Sequence, residues 1–106
     1  MDKRLKNKKA IVTGGSRGIG EGIVKRLYNE GAEIIIADIR EELAENLIKD
    51  LDHNQISFFQ ADLSQEEEIK KLMDYTKTKW GSLDFLINNA GIEDGYTLAD
   101  QTYESY

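Results

Sequence analysis

Thr13-Gly14-Gly15-Ser16-Arg17-Gly18-Ile19-Gly20 follows a short apolar run, Ala10-Ile11-Val12, and opens a helical pattern. A buried strand enters, the chain turns without side-chain obstruction, and a helix N-terminus faces whatever lies beyond the strand. The first N–H groups of that helix have no intrahelical partner. They carry about half an elementary charge of positive dipole, so a pyrophosphate is a natural occupant. Gly14 permits the tight turn, Gly18 lets the backbone approach phosphates, and Gly20 lets the helix pack close to the strand. The spacing is G-x-x-x-G-x-G rather than G-x-G-x-x-G. A glycine-rich β–α turn that holds no ligand would use the same residue types.

Length and composition bound the rest. At 106 residues the chain is one domain, residues 1–106. A chain of this size buries about two-thirds of its unfolded surface, enough for a core with little margin. Its 40% hydrophobic and 32% charged residues place it among soluble globular proteins. The lack of cysteine excludes a disulfide framework, a thiolate metal site and a cysteine nucleophile. It also fits a reducing cytosol, so a cytoplasmic location is expected. The basic start, Lys3-Arg4-Leu5-Lys6-Asn7-Lys8-Lys9, reads as a solvated lead-in to the first strand. The apolar run after it is too short for a signal-peptide core, and no segment approaches a membrane span. The net charge of −6 argues against nucleic acid as a partner.

The chain alternates regularly, without linker, repeat or low-complexity tract. Residues 10–13 read as a buried strand. Residues 18–29 carry Ile19, Ile23, Val24 and Leu27 at helical spacing and close on Gly31. Residues 33–37 are a second strand whose apolar run is continuous, the pattern of a parallel strand covered on both faces. Residues 41–51 are helical, and 56–59 are a third strand. Ser64-Gln65-Glu66-Glu67 reads as a capping box before a helix that runs through Ile69, Leu72 and Met73 toward Trp80 and stops at Gly81. Residues 83–87 are a fourth strand. The βαβαβαβ order predicts right-handed crossovers and a doubly wound parallel α/β sheet.

Such a sheet binds ligands beyond the carboxyl ends of its strands, where strand order reverses. Four groups stand at those ends: Gly14 to Gly20, Asp38, Asp62, and Asn88-Asn89-Ala90-Gly91. Asp38 lies 38 − 18 = 20 residues beyond Gly18, where an acidic residue would accept from a ribose 2′-OH. A carboxylate there repels a 2′-phosphate, so the local chemistry favours NAD over NADP. Arg17 and Arg40 pull the other way, since either could reach a 2′-phosphate. A solvated strand-end carboxylate is the alternative reading of Asp38.

These residues, with Ala61-Asp62-Leu63 and Trp80-Gly81-Ser82-Leu83-Asp84, resemble the short-chain dehydrogenases/reductases in order and spacing. The resemblance covers the whole chain but only the first part of that family's domain. It implies a partial NAD(P)-binding Rossmann-like domain, truncated after the fourth strand. Gly14, Ser16, Arg17, Gly18, Ile19 and Gly20 would wrap the cofactor's pyrophosphate and nearby ribose. Asp38, with Ile39 beside it, would hold the adenosine ribose, and Asp62 with Leu63 would contact the adenine. Asn89, Ala90 and Gly91 would line the adenosine side and brace the sheet. Within the family the chain looks most like the 3-oxoacyl-carrier-protein-reductase-like and glucose-dehydrogenase-like members. The implied partner is a nicotinamide dinucleotide, with no membrane and no nucleic acid.

The family's hydride chemistry uses a tyrosine acid/base, a lysine four residues later, a serine and a helix asparagine, all after the Asn-Asn-Ala-Gly segment. Here the sequence ends 106 − 91 = 15 residues past Gly91, so no catalytic residue is expected and the chain as it stands should not turn over. Tyr103 lacks the lysine four residues on, and Glu104-Ser105-Tyr106 read as the first turn of a fourth helix. Tyr75-Thr76-Lys77-Thr78-Lys79 matches Y-x-x-x-K, and a helix would put both ends on one face. Its helix precedes the fourth strand, so Tyr75 and Lys79 are read as helix-surface residues. His53 is read as solvated in a polar turn. Glu66-Glu67-Glu68 is read as a first-turn acidic face suited to the dipole, with no metal.

Truncation would leave the fourth strand as an edge. Phe85-Leu86-Ile87 there invites pairing with another chain, unblunted by proline, of which the sequence has none. Three functions are therefore weighed. The first is the NAD-binding part of an oxidoreductase acting on an alcohol/carbonyl pair. The second is a binding module that holds a nucleotide without turnover. The third is an interaction protein that pairs through its sheet edge and loses that pairing with a lysine at Leu86.

Overall fold

Ile34, Ile35 and Ile36 stand consecutively at the centre of the sheet, and all three are fully buried. Alternate residues of a strand face opposite sides, so a run like this is stable only with a helical layer on each side. The computed structural model describes residues 4–14 and 18–89. They form β1 (Lys9–Thr13), α1 (Gly18–Asn29), β2 (Glu33–Asp38), α2 (Glu41–Ile48), β3 (Ile56–Gln60), α3 (Glu66–Trp80) and β4 (Phe85–Asn88). The strands make one parallel sheet in the order β3-β2-β1-β4. The chain thus builds outward from β1 to β3 and then returns to the other side of β1. Strand order reverses between β1 and β4, as a doubly wound, Rossmann-like α/β fold requires.

Two core clusters sandwich this sheet. On one face Val12, Ile34, Ile36 and Ile56 pack with Val24, Ile23 and Leu27 of α1 and with Leu47 and Ile48 of α2. On the other, Ile11, Ile35 and Ala37 pack with Ile69, Leu72 and Met73 of α3. Burying a side chain of this size contributes about 1.5–3 kcal/mol, so these layers supply the main driving force. Among the described residues, no helix is long and apolar enough to cross a membrane.

Four strand ends lie one residue beyond the sequence reading, at Lys9, Asp38, Gln60 and Asn88, and three further element boundaries differ for reasons of packing and bonding. The second helix ends at Ile48 rather than at residue 51. Leu51 N–H folds back to the Ile48 carbonyl (2.9 Å), and Asp52 N–H donates to the Tyr28 hydroxyl on α1 (2.9 Å). The Gln55 amide spans the carbonyls of Tyr28 and Ala32 at 2.8 and 2.9 Å. These tertiary bonds draw the chain off the helical path while Leu51 still packs into the core. The fourth strand begins at Phe85 rather than at residue 83. Leu83 packs in the α3-side cluster, and the Asp84 carboxylate accepts the Lys9 N–H at 2.9 Å.

The third difference is the start of α3. Ser64 does not cap forward; its hydroxyl donates to Asp62 Oδ1 at 2.7 Å, and Gln65 is the N-cap without a side-chain bond. The expected capping box is replaced by a turn closed on Asp62. Tyr75 also departs from the surface reading. Its ring packs on Phe59 of β3 with centroids 4.9 Å apart, and both rings lie against the α3-side core. Lys79 and His53 are exposed, as read.

Gly81 ends α3 at φ 77°, donating its N–H to the Lys77 carbonyl at 2.8 Å, and a Cβ there would meet nothing. Gly81→Ala should therefore cost about 1 kcal/mol through the left-handed backbone alone. The check is a lowered urea midpoint at unchanged slope.

Candidate functional site

The carboxyl edge of the sheet is tied together strand by strand. At the β1–β4 reversal the buried Thr13 hydroxyl accepts the Asn89 N–H at 2.8 Å. The same hydroxyl lies 3.2 Å from Asn88 Oδ1, to which it donates, and 3.4 Å from the Ile87 carbonyl. The Asn89 side-chain amide donates to the Gly14 carbonyl at 3.3 Å. Gly14 N–H in turn donates to Ala37 O of β2 at 2.9 Å, and Ala61 N–H after β3 donates to Asp38 O at 3.1 Å. One continuous set of bonds thus places all four strand ends along one line.

The glycine turn sits over that line. Gly14 and Gly18 adopt φ 64° and 62°, the left-handed region that glycine enters without penalty. Gly20 is required for a different reason: a Cβ on it would fall on the Gly14 carbonyl oxygen and lie 2.8 Å from the Asn89 amide nitrogen. A Cβ on Gly18 would meet nothing within 4 Å. Among the described residues, the first turn of α1 is therefore closed on its strand side and open at Gly18. That opening is the one a phosphate needs if it is to reach the N-terminal N–H groups.

Asp38 ends β2 beside the turn, its side chain only 2% exposed. Its Oδ1 accepts the Arg40 backbone N–H at 3.1 Å and the Arg40 Nη1 at 2.8 Å. Ile19 and Ile39 are large apolar residues left 77% and 56% exposed. Asp62 stands one strand further out. The Ser64 hydroxyl and backbone N–H both donate to its Oδ1, and these two bonds hold its carboxyl below the ordinary 3.8. Leu63 turns into the α3-side core rather than along the edge.

The structure therefore brings Gly14, Gly18, Gly20 and Asn89 together, with Asp38, Ile19 and Ile39 alongside and Asp62 farther along. Ser16, Arg17, Ala90 and Gly91 lie outside the described residues, as do residues 103–106. Thr13 and Asn88 had no role in the sequence reading beyond their place in the motifs. The available signal was a lone hydroxyl ending a buried strand, since a buried hydroxyl must find partners. Among the described residues, no group of three or more His, Cys, Asp or Glu could hold a metal ion.

A family model described as short chain dehydrogenase matches residues 8–106. The chain is 40% identical over 99 residues to (+)-borneol dehydrogenase 1 of Salvia officinalis, covering 93% of this chain and 38% of that protein. It is 40% identical over 103 residues to tropinone reductase-like 2 of Erythroxylum coca, covering 97% of this chain and 37% of that one. A solved short-chain dehydrogenase/reductase, the glucose/ribitol dehydrogenase from Brucella melitensis, superposes with a TM-score of 0.74 at 25% identity. That match covers 81% of this chain and 37% of the solved one. The chain thus spans little more than a third of the length of these curated relatives.

Two neighbouring glycines separate packing from propensity. Gly20→Ala should destabilise the protein by about 2–3 kcal/mol, because the methyl would meet backbone that cannot move aside. Gly22→Ala, on the same helix but facing open space, should stabilise it by about 0.5–1 kcal/mol. Paired urea titrations read both. Asp62 supplies a pH test. A carboxyl lowered in the folded state stabilises fully above its unfolded value, and the contribution is lost as pH falls through the folded one. The stability gap between wild type and Asp62→Asn should thus be constant near neutrality and close below pH of about 4.

Proposed function

The chain belongs to the short chain dehydrogenase family, and from that premise we propose that it is the cofactor-binding part of an oxidoreductase. It would hold a nicotinamide dinucleotide along the carboxyl edge of its sheet. The reaction served is hydride transfer between that cofactor and an alcohol/carbonyl pair. The observation that carries this reading is Gly20 at the start of α1, packed on the Gly14 carbonyl with no room for a side chain, at the strand-order reversal. The names of the relatives, a dehydrogenase and a reductase-like protein, support the reaction class.

In this reading the first N–H groups of α1 take the pyrophosphate, with Gly14, Ser16, Arg17, Gly18 and Ile19 around it. Asp38, next to Ile39, takes the adenosine ribose, and its carboxylate favours NAD over NADP. Asp62 stands on the adenine side, Leu63 being turned away into the α3-side core, and Asn89, Ala90 and Gly91 line the adenosine. When bound, the nicotinamide supplies the hydride chemistry, and the protein supplies placement. Proton transfer needs an acid/base within reach of the substrate. Tyr75 and Lys79 do not provide it in this reading, because the Tyr75 ring is packed on Phe59 against the α3-side core and Lys79 is an exposed residue near the end of α3. The described residues therefore bind and orient without moving a proton, and we propose binding without turnover for these 106 residues. The cysteine-free composition supports a reducing, cytoplasmic compartment.

A second reading, pairing with a second copy through β4, is favoured by one observation. Phe85 is 37% exposed on a strand that pairs only with β1 among the described residues. Phe85, and not Leu86, is the position to change, because Leu86 packs into the α3-side core.

Titrating NAD into the purified protein should give saturable amide shifts in two-dimensional NMR. Gly18→Ala should weaken that binding about tenfold or more, since the methyl fills the opening and strains the turn. A folded protein with no NAD-dependent shifts would overturn the binding reading, and turnover above a buffer blank would overturn its non-catalytic part. Sedimentation of wild type against Phe85→Lys reads the second proposal: a dimer that the lysine dissolves supports pairing through β4, and an unchanged monomer removes it.

A further inference from the structure

The Ser64 hydroxyl is not engaged by the helix that follows it. It donates back to Asp62 Oδ1 at 2.7 Å, and the Ser64 N–H reaches the same oxygen at 3.1 Å. The rest of Asp62 is tied as well. Its N–H donates to Glu68 Oε1 on α3 at 3.4 Å, and its carbonyl accepts the Gln65 N–H at 3.0 Å. Among the described residues, only Oδ2 of Asp62 is left without a hydrogen bond. Neither Ser64 bond caps α3, whose N-cap is Gln65. Burial does not force the pairing either, because Ser64 is exposed and water could serve its hydroxyl. What the two bonds fix is the rotation of the Asp62 carboxylate. One oxygen faces two donors, so the other faces away from them.

We propose that Ser64 is a positioning residue for adenine recognition: it holds Asp62 Oδ1 and so presents Oδ2 as the acceptor for the exocyclic amine of the base. The inference rests on the dinucleotide reading above, which puts Asp62 on the adenine side, and deepens it. Ser64 itself touches no ligand in this scheme. Without its hydroxyl the carboxylate is freer to turn, and the bond to the amine must then bear the cost of fixing it. An asparagine in the same cradle would be oriented too. Its carbonyl oxygen would take the two Ser64 donors, and its NH2 would stand where Oδ2 stands. A donor would then face the base where the aspartate shows an acceptor.

The test is isothermal titration calorimetry of the purified protein with NAD and, separately, with nicotinamide hypoxanthine dinucleotide, which carries a 6-oxo group in place of the amine. Wild type should prefer NAD about fivefold or more, the scale of one hydrogen bond to a charged group. Ser64→Ala should bind NAD about threefold more weakly, the scale of ordering one side chain, without weakening the hypoxanthine analogue. Ser64→Thr, which keeps the hydroxyl, should match wild type. Asp62→Asn should invert the preference toward the analogue, and adding Ser64→Ala to it should narrow that inversion. A Ser64→Ala protein that loses both affinities alike, or neither, would overturn the positioning role and leave the dinucleotide site standing. Should Ser64→Ala fail to fold, Asp62→Asn decides: inversion supports the proposal, and an equal loss for both dinucleotides counts against it. If wild type binds neither dinucleotide, the site reading falls and the role of Ser64 falls with it.

Discussion

The Gly14 carbonyl occupies the space a side chain on residue 20 would need, and the arrangement of the carboxyl edge follows from that contact. It sets how closely α1 approaches β1, and so how directly the helix N-terminus faces the crevice beyond the strand. The same carbonyl accepts the Asn89 amide, which couples the glycine turn to the end of β4. A hydroxyl at Thr13 completes the junction by accepting the next backbone N–H and donating to Asn88. The seam where strand order reverses is thus closed by polar groups that satisfy one another. A half-satisfied junction there would leave buried polar groups unpaired, at a cost of about 1–3 kcal/mol each.

The remaining strand ends are registered against this seam. Gly14 bonds to Ala37 and Asp38 bonds to Ala61, so displacement of one loop is resisted by the next. The opposite edge is clamped separately, by the Asp84 carboxylate on Lys9 N–H and by the Lys9–Glu33 ion pair at 3.0 Å. With both edges tied and both faces covered, the carboxylates at the site are held by short local bonds. Asp38 rests on Arg40 and Asp62 on Ser64. Each carboxylate is therefore held in one place by a group two residues further along the chain.

Much of this was legible in the residues. The alternation of apolar runs with helical spacing located every strand and helix, and α1 has the bounds read from its pattern. Gly31 and Gly81, read as helix stops, both adopt positive φ. The readings that failed share a cause. The second helix was read past Ile48 because Tyr28 and Gln55 compete for the chain only once α1 lies beside it. Ser64 was read as a cap because its bond to Asp62 depends on the turn after β3. The surface reading of Tyr75 fails because its partner, Phe59, comes from a strand that the helix sequence does not specify.

By itself, then, the sequence determined the layer pattern, the parallel sheet and the positions of the glycine turn and of Asp38, because periodicity and backbone permissiveness are local properties. Only the tertiary structure decided that the Gly14 carbonyl and the Asn89 amide are what Gly20 packs against, that Thr13 and the two asparagines close one seam, and that Arg40 lies on Asp38. Those facts depend on which atoms from distant or turning segments share a volume, and no spacing along the chain encodes a distance across it.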